Sequence, residues 1–286
     1  MTTSLAIKNL KIEKIGKKSN QVLVKGVDVS LTSGRILGIV GESGSGKSLT
    51  MKSVLGILPK GLKATYDTIK VEGLPIENQS SLPVAMIFQD PMTSLNPLRK
   101  IGYHLEEVLK RFQPNLTKEE RQGKMLEMLG RVGIQNPQLR LKQYPFEFSG
   151  GMRQRILIAM ALLANPKVLI ADEPTTALDV TIQAQILVLL KELQETLGLT
   201  VVIVSHDFSV IAGLCDEVKV MRQGEFVEEG SVEEIFDNPQ HSYTQELLRA
   251  ACLEASTVTT DMQATRATEL VALTPTHRVR KEIVHD

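Results

Sequence analysis

The stretch GESGSGKSLT, from Gly41 to Thr50, constrains the fold of this chain more than any other part of its sequence. It matches the pattern G-x-x-x-x-G-K-[ST] and lies between the apolar run ILGIV and the segment LTMKSVLGIL. A strand, a glycine-rich turn and a helix in this order predict a phosphate-binding loop, because backbone N–H groups and the helix N-terminus can surround an anion. We expect the helix after the loop to be ended by Pro59.

The loop residues have separate predicted roles. Lys47 is expected to reach the β- and γ-phosphates of a nucleotide, and Ser48 to ligate Mg²⁺. The predicted nucleotide-binding residues of this segment are Gly41, Ser43, Gly44, Gly46, Lys47, Ser48 and Leu49.

A second chemical element follows the apolar residues of VLIADE. Asp172 is placed to act on Mg²⁺, and Glu173 next to it is placed to polarise an attacking water molecule. An acidic pair at the end of a strand is usually only solvated, so the prediction depends on the presence of the phosphate loop as well.

The order of periodic segments predicts an α/β fold. Short β-branched runs such as AIKNLKIE and VLVKGVDVSL fill the first seventy residues, as strands and hairpins would. From Ile101 the helical period takes over, and Thr117 and Glu120 have the spacing of a capping box. After Ser149 the helical and apolar strand patterns alternate, which is typical of a parallel sheet.

Composition excludes several other classes of protein. Lys and Arg number 33, as do Asp and Glu, so no overall basic charge predicts a nucleic-acid partner. No apolar run approaches the ~20 residues that span a bilayer, and the first twenty residues lack the core of a signal peptide, which predicts a cytoplasmic chain. The two cysteines, Cys215 and Cys252, lack the spacing of a metal site.

The segment FSGGMRQR, Phe148 to Arg155, resembles the signature of ABC-transporter ATPases, and the other motifs follow in that family's order. The resemblance covers about residues 5 to 235. It implies a P-loop, RecA-like ABC nucleotide-binding domain over 1–235, with an antiparallel β-subdomain and an α-helical subdomain at about 90–165. Residues 236–286 would be a C-terminal extension, whose tail from Met262 has no sustained period.

The resemblance also implies roles for particular residues around ATP and Mg²⁺. Gln89, with Ser48 and Asp172, would ligate Mg²⁺, and Gln89 and His206 would join Glu173 in catalysis. Four further residues would contact the ATP of a second ATPase subunit: Ser149, Gly150, Gly151 and Asp179. Two alternatives remain open, since Ser-Gly-Gly is in itself a plain helix cap and a lone histidine after an apolar strand is commonly buried.

Three segments resemble the ATPases of the peptide and nickel importers, namely IFQDPMTSLNPL, YPFEFSGGM and HSYTQELLRA. Within this branch, GKSLTMKSVLGILPKG and LKQYPFEFSGGM favour nickel, or a metal–metallophore complex, over the alternative of di- or oligopeptides. The branch implies a peripheral subunit at the cytoplasmic face of the membrane, paired in a heterodimer. Two permeases and, indirectly, an extracytoplasmic solute-binding protein would complete the importer. A soluble ABC ATPase and a non-ABC P-loop kinase are the competing classes.

The family's usual aromatic platform for adenine is missing, because no Phe, Tyr or Trp precedes Tyr66. Ile15, ahead of the strand VLVKGVDVSL, is the predicted substitute. An aliphatic side chain would cover the ring by burial alone.

Overall fold

The structure, a computed structural model, describes residues 2–16, 19–90, 94–176, 178–252 and 268–282. The chain divides into two compact units. The first comprises Met1–Asn78 and Val202–Asp286, and the second comprises Gln79–Val201, so the second is inserted in the sequence of the first.

The N-terminal part of the first unit carries an antiparallel sheet and one helix. Its elements are, in chain order, β1 (Thr3–Lys14), β2 (Gln21–Thr32), β3 (Ile36–Val40), α1 (Lys47–Val54), β4 (Leu62–Thr65), β5 (Thr68–Val71), β6 (Leu74–Pro75) and a 3-10 turn (Ile76–Asn78). The antiparallel sheet has the order β2-β1-β5-β6, and β4 also pairs with β1. In its register, Leu5 and Ile7 of β1 lie opposite Leu31 and Val29 of β2, and all four are buried. These cross-strand apolar pairs stabilise the sheet.

Helix α1 ends earlier than its sequence pattern predicts. Its last residue is Val54, and Gly56 adopts a left-handed conformation with φ 67°. The N–H of Gly56 donates to Ser53 O and the N–H of Ile57 donates to Lys52 O, which is the Schellman arrangement. The prediction that Pro59 ends this helix is therefore wrong, because Gly56 stops it first.

The second unit holds five of the nine α-helices in the described part of the chain. Its elements are β7 (Val84–Ile87), α2 (Ile101–Phe112), α3 (Lys118–Arg131), α4 (Pro137–Arg140), a 3-10 turn (Pro145–Glu147), α5 (Gly150–Leu163), β8 (Val168–Asp172) and α6 (Val180–Leu197). Strands β7 and β8 pair in parallel. Thr117 and Glu120 form the predicted capping box at the start of α3, with the Thr117 N–H donating to Glu120 Oε2 at 2.7 Å. The prediction of a helical middle third is confirmed.

The C-terminal part of the first unit completes a second sheet. Its elements are β9 (Thr200–Ser205, which begins two residues before this unit), α7 (Phe208–Ala212), β10 (Glu217–Arg222), β11 (Glu225–Ser231), α8 (Val232–Asp237), α9 (Ser242–Cys252), β12 (Thr268–Ala272) and β13 (Arg278–Glu282). Within this unit the strand order is β12-β13-β11-β10-β3-β9, and β10 runs parallel to β3. The parallel pairs β3–β10 and β7–β8 agree with the predicted α/β class.

The tail that lacks a sequence period contains a β-hairpin. Strands β12 and β13 pair with each other, and β13 also pairs with β11, so the hairpin extends the second sheet. Residues 262–267 and 283–286 of the tail lie outside the described residues. The strands are only five residues long, too short for the alternation of side chains to stand out in the sequence.

Candidate functional site

The phosphate loop connects β3 to α1 in the first unit. All five residues of β3 are buried, so the loop starts at the edge of a core strand. Gly41 has a φ of 148°, and a Cβ built on it would lie 2.0 Å from the carbonyl oxygen of Met221. A side chain at this position would collide with rigid backbone. The structure thus gives a steric reason for the first glycine of the motif.

A buried positive charge, the ammonium of Lys47, lies where the loop ends and α1 begins. Lys47 is 4% exposed, and its Nζ donates to the carbonyl oxygens of Gly41 and Glu42 at 2.7 and 2.8 Å. Gly46, the N-cap of α1, offers no side-chain hydrogen bond to the start of the helix. Among the described residues, nothing accepts from or donates to the buried Ser45 Oγ.

These features fit a phosphate chain. An anion at the helix N-terminus would meet the ammonium of Lys47 and backbone N–H groups of the loop. Of the remaining predicted loop residues, Ser43 and Gly44 are exposed, and Ser48 and Leu49 are half-buried. Their contacts with nucleotide stay predictions.

The acidic pair lies at the end of β8 in the second unit. Asp172 closes this buried strand and is itself 1% exposed. Glu173, the next residue, adopts a left-handed conformation with φ 49°, which is uncommon for a residue with a side chain. Its Oε2 accepts hydrogen bonds from Gln89 Nε2 at 2.7 Å and from Thr176 Oγ1 at 3.0 Å.

The contact between Gln89 and Glu173 follows from the sheet. Gln89 comes two residues after β7, and the parallel register sets Ile87 of β7 beside Ala171 of β8. Both side chains therefore leave the same edge of the sheet. Thr176 is a further member of this cluster whose contact with Glu173 the sequence reading did not predict; the spacing Glu-x-x-Thr is the signal that was available.

The signature segment begins helix α5 in the second unit. Ser149 is the N-cap, and its Oγ accepts from the N–H of Met152 at 3.4 Å. Gly151 packs against α6 so closely that a Cβ would lie 2.5 Å from Ile182 Cγ2, whereas at Gly150 the nearest atom would be 3.3 Å away. Capping and close packing thus explain part of the motif. Its contact with a partner's ATP stays a prediction.

Asp179 and His206 occupy surface positions at the ends of two strand–helix connections. Asp179 is exposed and caps α6, with its Oδ1 accepting from the N–H of Ile182 at 3.0 Å.

His206 follows β9 and is exposed, so the alternative of a buried histidine does not hold. Asp207 caps the short helix α7. Ala177, between Thr176 and Asp179, lies outside the described residues.

Ile15 lies just after β1 in the first unit. Its side chain is 50% exposed, and its backbone N–H donates to Gly61 O at 2.9 Å. An exposed aliphatic side chain on a hydrogen-bonded backbone is compatible with a surface that covers the adenine ring, and this role stays a prediction.

Replacing Ile15 with tyrosine tests that role. Stacking of a base on an aromatic ring is worth ~1 to 3 kcal/mol in nucleic-acid sites, and isoleucine recovers only part of it by burial. We expect Ile15→Tyr to tighten ATP binding by on the order of 1 kcal/mol, several-fold in Kd, with little change in hydrolysis at saturating ATP. Displacement of a fluorescent ATP analogue measures it. Unchanged or weaker affinity would remove Ile15 from the adenine site.

A phosphate loop after a buried strand, together with an acidic pair at the end of another buried strand, defines a P-loop nucleoside triphosphatase. Residues 24–176 match the family described as ABC transporter, and the chain belongs to this family. It is therefore an ABC-transporter ATPase, and ATP is its nucleotide. Membership excludes the alternative of a non-ABC P-loop kinase.

Known proteins resemble the chain over most of its length. The oligopeptide transport ATP-binding protein OppD of Bacillus subtilis is 46% identical over 257 residues, which cover 87% of this chain and 72% of that protein. The dipeptide transport ATP-binding protein DppD of Haemophilus influenzae is 43% identical over 254 residues, covering 86% and 77%. Both relatives are named for peptides, so the predicted preference for nickel gains no support from them.

A solved structure confirms the predicted fold class. The ATP-binding cassette MJ0796, as a dimer in a post-hydrolysis state with ADP and Pi, has a TM-score of 0.68 and 28% identity, covering 80% of this chain and 98% of that chain. The fold is that of an ABC ATPase with an antiparallel sheet and a helical part. Among the described helices, none combines the length and the apolar character needed to cross a bilayer.

Proposed function

We propose that this chain hydrolyses ATP to drive the import of di- or oligopeptides through separate membrane permeases. The observation that carries the proposal is the extent of the similarity to peptide-transport ATPases. It runs over 257 residues with OppD and 254 residues with DppD, well beyond the 24–176 segment that matches the family as a whole. Resemblance to peptide-transport proteins therefore includes parts of the chain outside that segment.

The chemistry assigned to the second unit rests on Glu173. Two hydrogen bonds, from Gln89 and from Thr176, reach Oε2 of Glu173 and orient its carboxylate. A fixed carboxylate is what a base that positions a water molecule requires.

The expected Mg²⁺ ligands are a hydroxyl, an amide and a carboxylate, from Ser48, Gln89 and Asp172. Their oxygen atoms are of the kind that Mg²⁺ prefers. We assign Mg²⁺ to them on that ground and on the family resemblance.

The partners follow from the signature segment and from the transport relatives. Ser149, Gly150, Gly151 and Asp179 would complete the ATP site of a second, similar subunit, as in a head-to-tail heterodimer. The dimeric state of the MJ0796 structure supports such pairing. Two permeases would anchor the pair at the cytoplasmic face of the membrane, and a solute-binding protein would deliver the peptide from the other side. The relatives' transport names favour this reading over a soluble ABC ATPase.

Nickel import is the second candidate. The segments GKSLTMKSVLGILPKG and LKQYPFEFSGGM resemble the nickel import ATPase NikD, and Cys252 is the only cysteine after HSYTQELL, where peptide-importer ATPases often have a cluster. The solute would contact the binding protein and the permeases, so the choice between peptide and nickel needs a measurement on cells.

Deleting the gene in a strain that needs one external amino acid is expected to abolish growth on a di- or tripeptide containing that amino acid. Growth on the free amino acid should be unchanged, because free amino acids would enter by other carriers. Cellular nickel under metal limitation is measured in parallel by mass spectrometry. A plasmid carrying the wild-type gene should restore peptide use, and a plasmid carrying Glu173→Gln should not.

If the deletion strain contains less nickel than wild type but uses peptides normally, the chain is assigned to nickel import instead. If both solutes enter normally, the chain does not power either importer, and the proposed function is wrong.

A further inference from the structure

A tyrosine outside the ATPase motifs touches the phosphate loop in the first unit. Tyr243, in α9, is 2% exposed, and its hydroxyl oxygen accepts the backbone N–H of Glu42 at 3.0 Å. We propose that Tyr243 is a positioning residue of the nucleotide site, which holds the Gly41–Glu42 peptide in the orientation that places Lys47 for the triphosphate.

The argument rests on the planarity of one peptide group. The N–H of Glu42 and the carbonyl of Gly41 belong to the same rigid plane. Tyr243 holds the N–H end of this plane, while the Gly41 carbonyl oxygen accepts from Lys47 Nζ at 2.7 Å at the other end. Rotation of the peptide would break both contacts together. The tyrosine hydroxyl therefore acts on the ammonium of Lys47 without touching nucleotide itself.

The tyrosine side chain is fixed in turn by its surroundings. The guanidinium of Arg222, at the end of β10, lies 4.7 Å from the centre of the Tyr243 ring. Burial is the main cause that raises the pKa of Tyr243 to about 12, so the hydroxyl stays neutral at ordinary pH. A neutral hydroxyl has a lone pair that accepts the Glu42 N–H, and it places no negative charge beside the phosphates.

The first residues of helix α9, which include Tyr243, are held by hydrogen bonds. The N–H of Tyr243 donates to His241 Nδ1 at 3.1 Å, and burial, as the largest cause, lowers the pKa of His241, which favours the neutral ring that this bond requires. The fully buried carboxylate of Glu228 accepts from the N–H groups of Gln240 and His241, at 2.7 and 3.1 Å.

The C-terminal hairpin contributes to the same anchor. His277, between β12 and β13, is buried, and its Nε2 lies 2.7 Å from Glu228 Oε1. A continuous chain of contacts thus runs from the hairpin through Glu228 to the start of α9, and from Tyr243 to the phosphate loop. The tail, which has no sustained period in the sequence, therefore belongs to the network that anchors Tyr243 beside the nucleotide site.

The test is Tyr243→Phe in the full-length chain, which removes one hydroxyl and keeps the ring. Tyr66→Phe is the matched control, since its hydroxyl donates to Glu77 at 2.8 Å in the same unit and, among the described residues, makes no hydrogen bond to the loop. Displacement of a fluorescent ATP analogue by ATP and by inorganic tripolyphosphate gives both affinities. For Tyr243→Phe, both Kd values should rise about three- to tenfold, the factor of one lost hydrogen bond.

A positioning role also predicts a split between binding and turnover. Hydrolysis at saturating ATP should stay within about twofold of wild type while KM rises, because Tyr243 acts before the chemical step. The control should change neither affinity. A lower melting temperature with unchanged Kd for ATP and tripolyphosphate would show a purely structural role and overturn the proposal, as would a loss confined to turnover.

The proposal depends on ATP binding by the loop and not on the solute. Failure of peptide uptake would therefore leave the Tyr243 test unaffected.

Discussion

Replacing Glu173 with glutamine is expected to lower ATP turnover by ~10² to 10⁴-fold, the range for loss of a positioned base. Glutamine has nearly the same shape and can still accept a hydrogen bond from Gln89 or Thr176, so the local structure should persist. It cannot take a proton from water. ATP binding should be nearly unchanged, because Lys47, Ser48 and Asp172, and not Glu173, are the residues expected to hold the nucleotide and its Mg²⁺.

Phosphate release at saturating ATP measures the turnover, and displacement of a fluorescent ATP analogue measures the binding. Glu195→Gln is the matched control, since Glu195 is an exposed residue of α6 with its carboxylate 3.8 Å from Lys191 Nζ. This control should behave as wild type. Near-normal hydrolysis by Glu173→Gln would remove Glu173 from the catalytic role.

Replacing Ser149 with arginine is expected to abolish transport by the assembled complex while the isolated subunit binds ATP as before. If Ser149 contributes a donor to the partner's ATP, a long cation in its place should cost about 10²-fold or more in transport rate, as for loss of a preorganised donor. Binding in the isolated chain should not change, because the chain's own phosphate loop is intact.

Ser149 also caps α5, so loss of the cap needs its own control. Thr117→Arg removes a cap of the same kind from α3 in the same unit, where Thr117 Oγ1 accepts from the N–H of Glu120 at 3.2 Å. A lost cap costs about 1 kcal/mol of stability. If Thr117→Arg abolishes transport equally, or if Ser149→Arg weakens ATP binding to the lone subunit, the assignment of Ser149 to the partner's site is wrong.

Local motifs were the predictable part of this protein. The phosphate loop is contained in a few consecutive residues between a strand and a helix, and the capping box of Thr117 and Glu120 is equally local. The end of α1 differs from the predicted end for a local reason as well. Gly56 offered a left-handed stop ahead of Pro59, and the continuing apolar residues concealed it.

Contacts between distant segments could not be read from a single sequence. Gln89 and Glu173 are 84 residues apart, and only the parallel register of β7 with β8 brings them together. In the same way, Gly41 must be a glycine because of the carbonyl of Met221, and Tyr243 reaches Glu42 from the far end of the chain. The identity of the transported solute is harder still to predict, since no residue of this chain is expected to contact it.

Uptake of a labelled peptide by reconstituted vesicles tests the central claim most directly. The complex is purified through a tag on this chain, reconstituted into lipid vesicles and supplied with the solute-binding protein outside and ATP and Mg²⁺ inside. The account predicts that labelled di- or oligopeptide accumulates only with internal ATP, and that the same complex carrying Glu173→Gln accumulates none. Hydrolysis of ATP without accumulation of peptide, or peptide uptake that persists with Glu173→Gln, would contradict it.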